Sequence, residues 1–268
     1  MITALRDFLV DPRMHNVNAD SDERVDVHKR ILSEKKLMRN VFKEFYETCI
    51  ENSRRYFCAQ GQEIEIGAGI SFFKKMHPNL LVTDVVSGPD VEMVLDAQEM
   101  TQISDSSVKA IYGLNCFHHL ERPRDFFKEL NRVLKPGGGV VLIEPYYGLL
   151  ARPFYRNLHK SEHFNPEQEK WEAASGMGVM SNANQALSYI VFVRDRAQFE
   201  QEFPELEIVK ISPLQNYLRY LLSGGLNFRQ LVPDSFEGAV RIVEKLLYPV
   251  SSATGLHYQV VLRKKVSI

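Results

Sequence analysis

Cysteine is scarce: Cys49, Cys58 and Cys116 are the three in 268 residues. They form no Cys-x-x-Cys pair, which excludes a disulfide framework and a thiolate metal knuckle and suits reduced thiols in the cytoplasm. A large net charge is also missing. The formal balance is −1, so no broad cationic face for nucleic acid is expected. No apolar run approaches the ~20 residues needed to span a bilayer. Segment 1–10 contains Arg6 and Asp7 and lacks the apolar centre of a signal peptide. Neither an internal repeat nor a low-complexity tract is visible. His159 and His163 stand four apart, but no third ligand has convincing spacing, so no metal is expected. What remains is 44 % hydrophobic and 25 % charged, the balance of an ordinary globular protein with room for one large domain or two small ones.

One stretch stands out. In Glu63-Ile64-Glu65-Ile66-Gly67-Ala68-Gly69-Ile70 an apolar strand carrying an acid runs into a Gly-x-Gly turn. Glycine accepts positive φ and has no Cβ, so such a turn brings backbone close to a ligand. Segment 70–77 reads as a helix, whose first N–H groups would face the same ligand. Downstream, strands are expected near 62–67, 80–84, 92–96, 108–113 and 139–144. A further helix is expected at 123–134, with Pro123 early in it and Gly137 and Gly138 as its stop. Alternating strand and helix predicts an α/β fold with a parallel sheet. The second and third strands are joined by only the residues 85–91, fewer than a parallel crossover normally takes, so the helix usual there is expected to be a turn or lost.

Taken in order, Glu65-Ile66-Gly67-Ala68-Gly69, Thr83-Asp84-Val85, Leu95-Asp96-Ala97, Phe117-His118-His119-Leu120 and Arg132-Val133-Leu134-Lys135-Pro136-Gly137-Gly138 resemble a class I, Rossmann-like S-adenosylmethionine-dependent methyltransferase of the small-molecule type. The resemblance covers roughly 60–145. It implies a doubly wound, seven-stranded, mostly parallel sheet of order 3-2-1-4-5-7-6 with the last strand antiparallel. S-adenosylmethionine is the implied cofactor. Gly67, Ala68 and Gly69 would pass close to it, and Glu65 would orient the loop or reach the methionine amino group. Asp84, followed by Val85, would accept the ribose diol. Asp96 would take the adenine amine, with the Ala97 N–H on a ring nitrogen, and Asn115 would lie along the methionine part. A dinucleotide fingerprint would place a third glycine at 72, where this chain has Phe72. That suits a cofactor without pyrophosphate better than NAD.

An alcohol or phenol acceptor must lose a proton during methyl transfer, and histidine is suited to take it near neutral pH. His119, or failing it His118, is the expected base, with Glu144 after the fifth strand stabilising the imidazolium. The His-His pair could equally only pack the loop.

The whole chain, 1–268, is read as a single domain with an N-terminal helical cap (1–55), a cofactor-binding core (60–145) and lid or acceptor insertions at 146–190 and 214–257. Two amphipathic helices are expected within 21–52, another helix at 194–203, strands at 206–211 and 257–263, and a helix near 235–247. Asp234 and Glu237 are spaced as a capping box for that last helix. The expected activity is methyl transfer to a small-molecule acceptor, an oxygen of a sugar or phenolic metabolite. A catalytically inactive, methyltransferase-like scaffold is the alternative. A nucleotide-dependent oxidoreductase is disfavoured by Phe72, and an RNA methyltransferase by the charge balance.

Overall fold

The computed structural model describes residues 8–18, 21–157, 162–173 and 183–266. At its centre is a seven-stranded sheet of order 3-2-1-4-5-7-6. The strands are β1 (Gln62–Ile66), β2 (Leu80–Asp84), β3 (Met93–Val94), β4 (Val108–Leu114), β5 (Leu134–Pro145), β6 (Leu206–Pro213) and β7 (His257–Lys264). β7 runs antiparallel to both β5 and β6, and the other pairings are parallel. Strand order and direction are those of the Rossmann-like methyltransferase fold.

Successive side chains of a strand point to opposite faces, and β5 shows it. Val140 and Leu142 join one core with Phe126, Phe127 and Leu130 of α3 (Pro123–Val133). Val141 and Ile143 join the other, with Val41, Phe45 and Cys49 of α2 (Lys36–Tyr56). Fully apolar strands covered on both faces are what a parallel sheet requires. Before α2 lies α1 (Asp22–Glu34), so the two expected N-terminal helices are present.

Several expectations are corrected. No α-helix follows β1; a single 3₁₀ turn, Phe73–Lys75, stands where 70–77 was expected to be helical. Gly69 is left-handed (φ 49°), the Ser71 hydroxyl accepts the Phe73 N–H at 3.0 Å, and Pro78 disfavours helical geometry at His77. The space on that face is occupied by α2, whose Tyr46 stacks on Phe73 with ring centroids 4.5 Å apart. The segment that follows β1 therefore presents no α-helix N-terminus to the glycine turn. β3 shrinks to two residues at the sheet edge, and the link from β2 contains no helix, as its length implied. α3 ends at Val133, ahead of Gly137 and Gly138, because Lys135 precedes Pro136 and the chain is already extended at Leu134.

The second insertion contributes α6 (Tyr217–Ser223) and α7 (Glu237–Leu246), while α4 (Ala151–Asn157) belongs to the first and α5 (Arg196–Glu202) precedes β6. The capping box at Asp234 does not form. Asp234 accepts the Leu37 N–H at 3.0 Å, so it caps α2 instead, and Glu237 accepts from Asn40 at 2.7 Å. Arg219 of α6, buried, ties α2 to α7 through Glu44 (2.6 Å) and Glu244 (2.6 Å). α2 is thereby clamped over the sheet by segments far away in sequence.

Gly139 sits where β5 passes beneath Phe57. A Cβ there would overlap the Leu262 carbonyl oxygen and the Phe57 ring. Gly139→Ala should therefore cost about 3 kcal/mol, the upper end for overpacking, because a backbone atom blocks relief. Urea denaturation of the variant beside the parent checks it.

Candidate functional site

The C-terminal ends of the parallel strands open into one cavity of about 1250 Å³. Glu65, Gly67, Ala68, Gly69, Asp84, Val85, Asp96, Ala97, Asn115, His118 and His119 all line it. Glu144 does not. It lies behind the wall, fully buried.

Gly67 and Gly69 have φ of 60° and 49°, a conformation most residues avoid. A Cβ on Gly67 would come 2.5 Å from Cys116 Sγ, whereas one on Gly69 would meet nothing within 4 Å. Gly67 is thus required by packing of β1 against the loop after β4, and Gly69 leaves open space on the cavity side. The two oxygens of Asp84 accept the Gly69 N–H (2.8 Å) and the Val86 N–H (3.0 Å), fixing the carboxylate at the mouth of the turn. Asp96 accepts from the Gln98 backbone (2.8 Å) and side chain (3.0 Å) and lies 3.7 Å from Arg122. Asn115 is also left-handed (φ 49°) and donates its N–H to Ile143 at 2.8 Å, which pins the β4 loop to β5.

Glu65 is 3 % exposed, and burial pushes its carboxyl up to about 8. Among the described residues nothing bonds its Oε2, and the same is true of Asn115 Oδ1. Buried acceptors without partners are costly and mark places where a donor from a ligand fits.

After β4 the chain turns through a 3₁₀ turn, Phe117–His119. Its start is held by Glu144. That carboxylate accepts the backbone N–H groups of Cys116 (2.9 Å), Phe117 (2.8 Å) and His118 (3.3 Å), and His118 Nδ1 at 2.6 Å. The expected arrangement is thereby corrected: Glu144 serves His118, not His119, and forms the frame of the loop. On its other side His118 Nε2 lies 3.2 Å from Glu162 Oε2. Burial disfavours a charged ring at His118, which is 2 % exposed, but Glu144 and Glu162 outweigh it and push its pKa to about 10. The two carboxylates thus favour the protonated ring at His118. His119, less buried, stacks on His118 with centroids 4.2 Å apart and faces the cavity.

The remaining wall comes from the N-terminal helices and both insertions: Arg24, Val25 and His28 of α1, Tyr46 of α2, Phe154 and Tyr155 of α4, then Glu162, Gln185, Tyr220 and Phe228. Sequence reading passed over Glu162 as a site residue. It stands beside His163 within the His159–His163 stretch, whose spacing pointed to the two histidines, and only the fold carries it to His118. Gln185 donates to its Oε2 at 2.9 Å and Arg24 approaches its Oε1 at 3.8 Å. Tyr46, which lies at 3.2 Å from Ser71 Oγ beside the glycine turn, was likewise read only as part of an amphipathic helix. Of the His159–His163 pair, His159 lies outside the described residues; His163 bridges Asn184 and does not line the cavity.

Residues 66–142 match the sequence family described as "Methyltransferase domain". No curated protein sequence matches the chain. Among solved structures, the chain is similar to phosphoethanolamine N-methyltransferase 2 of Haemonchus contortus in complex with S-adenosyl-L-methionine, at 14 % identity and a TM-score of 0.43, over 82 % of this chain and 53 % of that one. The chain therefore spans about half the length of that enzyme. It is also similar to geranyl diphosphate C-methyltransferase of Streptomyces coelicolor A3(2), at 15 % identity and a TM-score of 0.48, over 96 % of this chain and 90 % of that one. A third likeness, to a SAM-dependent methyltransferase of Archaeoglobus fulgidus, has 15 % identity and a TM-score of 0.44, over 82 % and 94 % of the two chains.

Removing the carboxylate at Glu144 strands a buried, charged imidazole and three backbone donors. Glu144→Ala should destabilise the protein by about 3–5 kcal/mol, the cost of breaking a buried pair from one side. Thermal unfolding should show it as a lower midpoint, with the cavity loop the first region to gain amide exchange.

Proposed function

We propose that this chain, whose residues 66–142 form a methyltransferase domain of the class I, S-adenosylmethionine-dependent fold, methylates a small-molecule acceptor, with oxygen as the accepting atom. The observation that carries the reading is the convergence of the glycine turn, Asp84, Asp96 and a buried, unpartnered Glu65 oxygen on one cavity at the strand ends. Ligands of open α/β sheets bind at that edge.

The residues present fit the cofactor. Glu65 Oε2 and Asn115 Oδ1 offer acceptors to an ammonium group, Gly69 leaves room for close approach, and Asp84 retains lone pairs for a diol beside its backbone bonds. Asp96 and Ala97 line the cavity where an adenine edge would be recognised. Bound there, S-adenosylmethionine supplies a methyl group on a sulfonium that is already a good leaving group. The protein's own part is to align the acceptor and exclude water. The N-terminal cap and the two insertions serve as the cover of the acceptor side, since each contributes residues to the wall. His119 takes the acceptor's proton, because His118 is held charged between two carboxylates. The apolar and aromatic wall, with Val25, Phe154, Tyr155, Tyr220 and Phe228, favours a phenolic or similarly flat acceptor over a sugar. No described helix is long and apolar enough to cross a membrane.

Calorimetry with S-adenosylhomocysteine tests the cofactor. Binding is expected, and Asp84→Ala should weaken it more than tenfold; clear binding of NAD with none of S-adenosylhomocysteine would sink the reading. The sign of the pH dependence follows from Glu65. With its pKa near 8 in the free protein, its carboxyl is protonated at pH 6 and must ionise to hold an ammonium. Affinity should therefore rise between pH 6 and 8, by up to about tenfold per unit, with proton uptake by the buffer.

For catalysis, His119→Ala should leave S-adenosylhomocysteine binding intact and lower turnover of a phenolic acceptor by roughly 10²–10⁴-fold, the size of a general-base contribution. Turnover near that of the parent would mean that alignment alone suffices.

A further inference from the structure

We propose that His118, His119 and Glu162 hold a divalent transition cation of the zinc class on the acceptor side of the cavity. One ligand atom from each of the three lies within 4.8 Å of the others. Zinc bonds of about 2.0–2.2 Å in a tetrahedron put neighbouring ligand atoms about 3.3 Å apart. His118 Nε2 and Glu162 Oε2 are already 3.2 Å apart, and His119 must close in by about 1.5 Å at most.

Three observations favour a cation over a mere hydrogen-bonded trio. First, the outer support of a metal site is present. A ligating imidazole usually gives its second nitrogen to a carboxylate, which fixes tautomer and orientation. His118 Nδ1 does so with the fully buried Glu144 at 2.6 Å, leaving Nε2 aimed at Glu162; the cation displaces the Nε2 proton, which leaves to water, so zinc affinity rises with pH. Second, Glu162 is oriented as well, by Gln185 at 2.9 Å and by Arg24 at 3.8 Å. The guanidinium lowers the site's negative charge. Third, the three residues all line the cavity, so at least one position on the cation faces open space. Two imidazoles and one carboxylate suit zinc, iron or manganese better than magnesium, which prefers oxygen ligands.

What the cation does rests on the methyltransferase reading; whether it binds does not. Facing the cavity, its open position takes the acceptor's hydroxyl oxygen as a Lewis acid and lowers that group's pKa, the proton leaving to water. His119 is then a ligand, and the metal performs the deprotonation assigned to His119 in the metal-free protein.

The test uses the full chain freed of metal by a chelator. Titration with Zn²⁺ should give one site per chain, and Co²⁺ should develop visible absorption bands of a nitrogen-ligated ion. His119→Ala and Glu162→Gln should each lose at least tenfold in Zn²⁺ affinity, while His163→Ala, outside the cavity, should match the parent, and Mg²⁺ should not compete. No stoichiometric Zn²⁺ binding by the parent would overturn the proposal, as would undiminished binding by both His119→Ala and Glu162→Gln. Circular dichroism of each variant separates a lost ligand from a lost fold. S-adenosylhomocysteine titrated in parallel keeps the two readings apart: failure there removes the methyltransferase reading and leaves the metal result standing.

Discussion

The site depends on one buried carboxylate. Glu144, at the end of β5, replaces the hydrogen bonds that the loop after β4 would otherwise lack, collecting three successive backbone N–H groups and one imidazole. A buried charge is tolerable only when it is so fully bonded. The bonds run across two adjacent strands, so they fix the height at which Cys116, His118 and His119 emerge from the sheet. Cys116 in turn touches the space that Gly67 must leave open. The glycine turn, the β4 loop and the end of β5 are consequently one mechanical unit.

Around this unit the labour is divided by sequence region. The strand ends between β1 and β4 supply backbone turns and carboxylates suited to a polar cofactor. The facing wall comes from the N-terminal helices and the insertions and is richer in aromatic and aliphatic groups. His118 and His119 line the same cavity as Glu162 and as Glu65 and Asn115.

Features encoded by local chemistry were legible in the sequence. Gly67 and Gly69 announce a turn with positive φ, Pro123 marks the start of α3, and the apolar run of β5 marks a strand covered on both faces. The strand order is the one that the resemblance to the methyltransferase family implied. What could not be read was decided by tertiary competition. A helix after β1 has adequate local sequence, yet Tyr46 of α2 fills the face it would pack on. Asp234 has the spacing to cap its own helix, yet it caps α2, because Leu37 N–H lies closer in the fold. Glu162 lies in the His159–His163 stretch that drew notice for its histidines, but its own meaning is its distance from His118.

The substitution of α2 for the missing crossover helix has a kinetic side. A crossover helix would cover β1 using residues adjacent in the chain. α2 instead is fastened by partners far along it: Asn52 to Gln259 at 2.6 Å, 207 residues away, and Glu44 to Arg219, 175 away. Loop closure over such separations must precede the contacts that reward it, which raises contact order and slows folding. On a ribosome the glycine turn emerges early, but its roof cannot lock until β7 has been synthesised. Throughout that interval Phe45, Tyr46 and Phe73 have no settled core, so the nascent chain passes most of its synthesis with the aromatic patch beneath its future cofactor site open to chaperones.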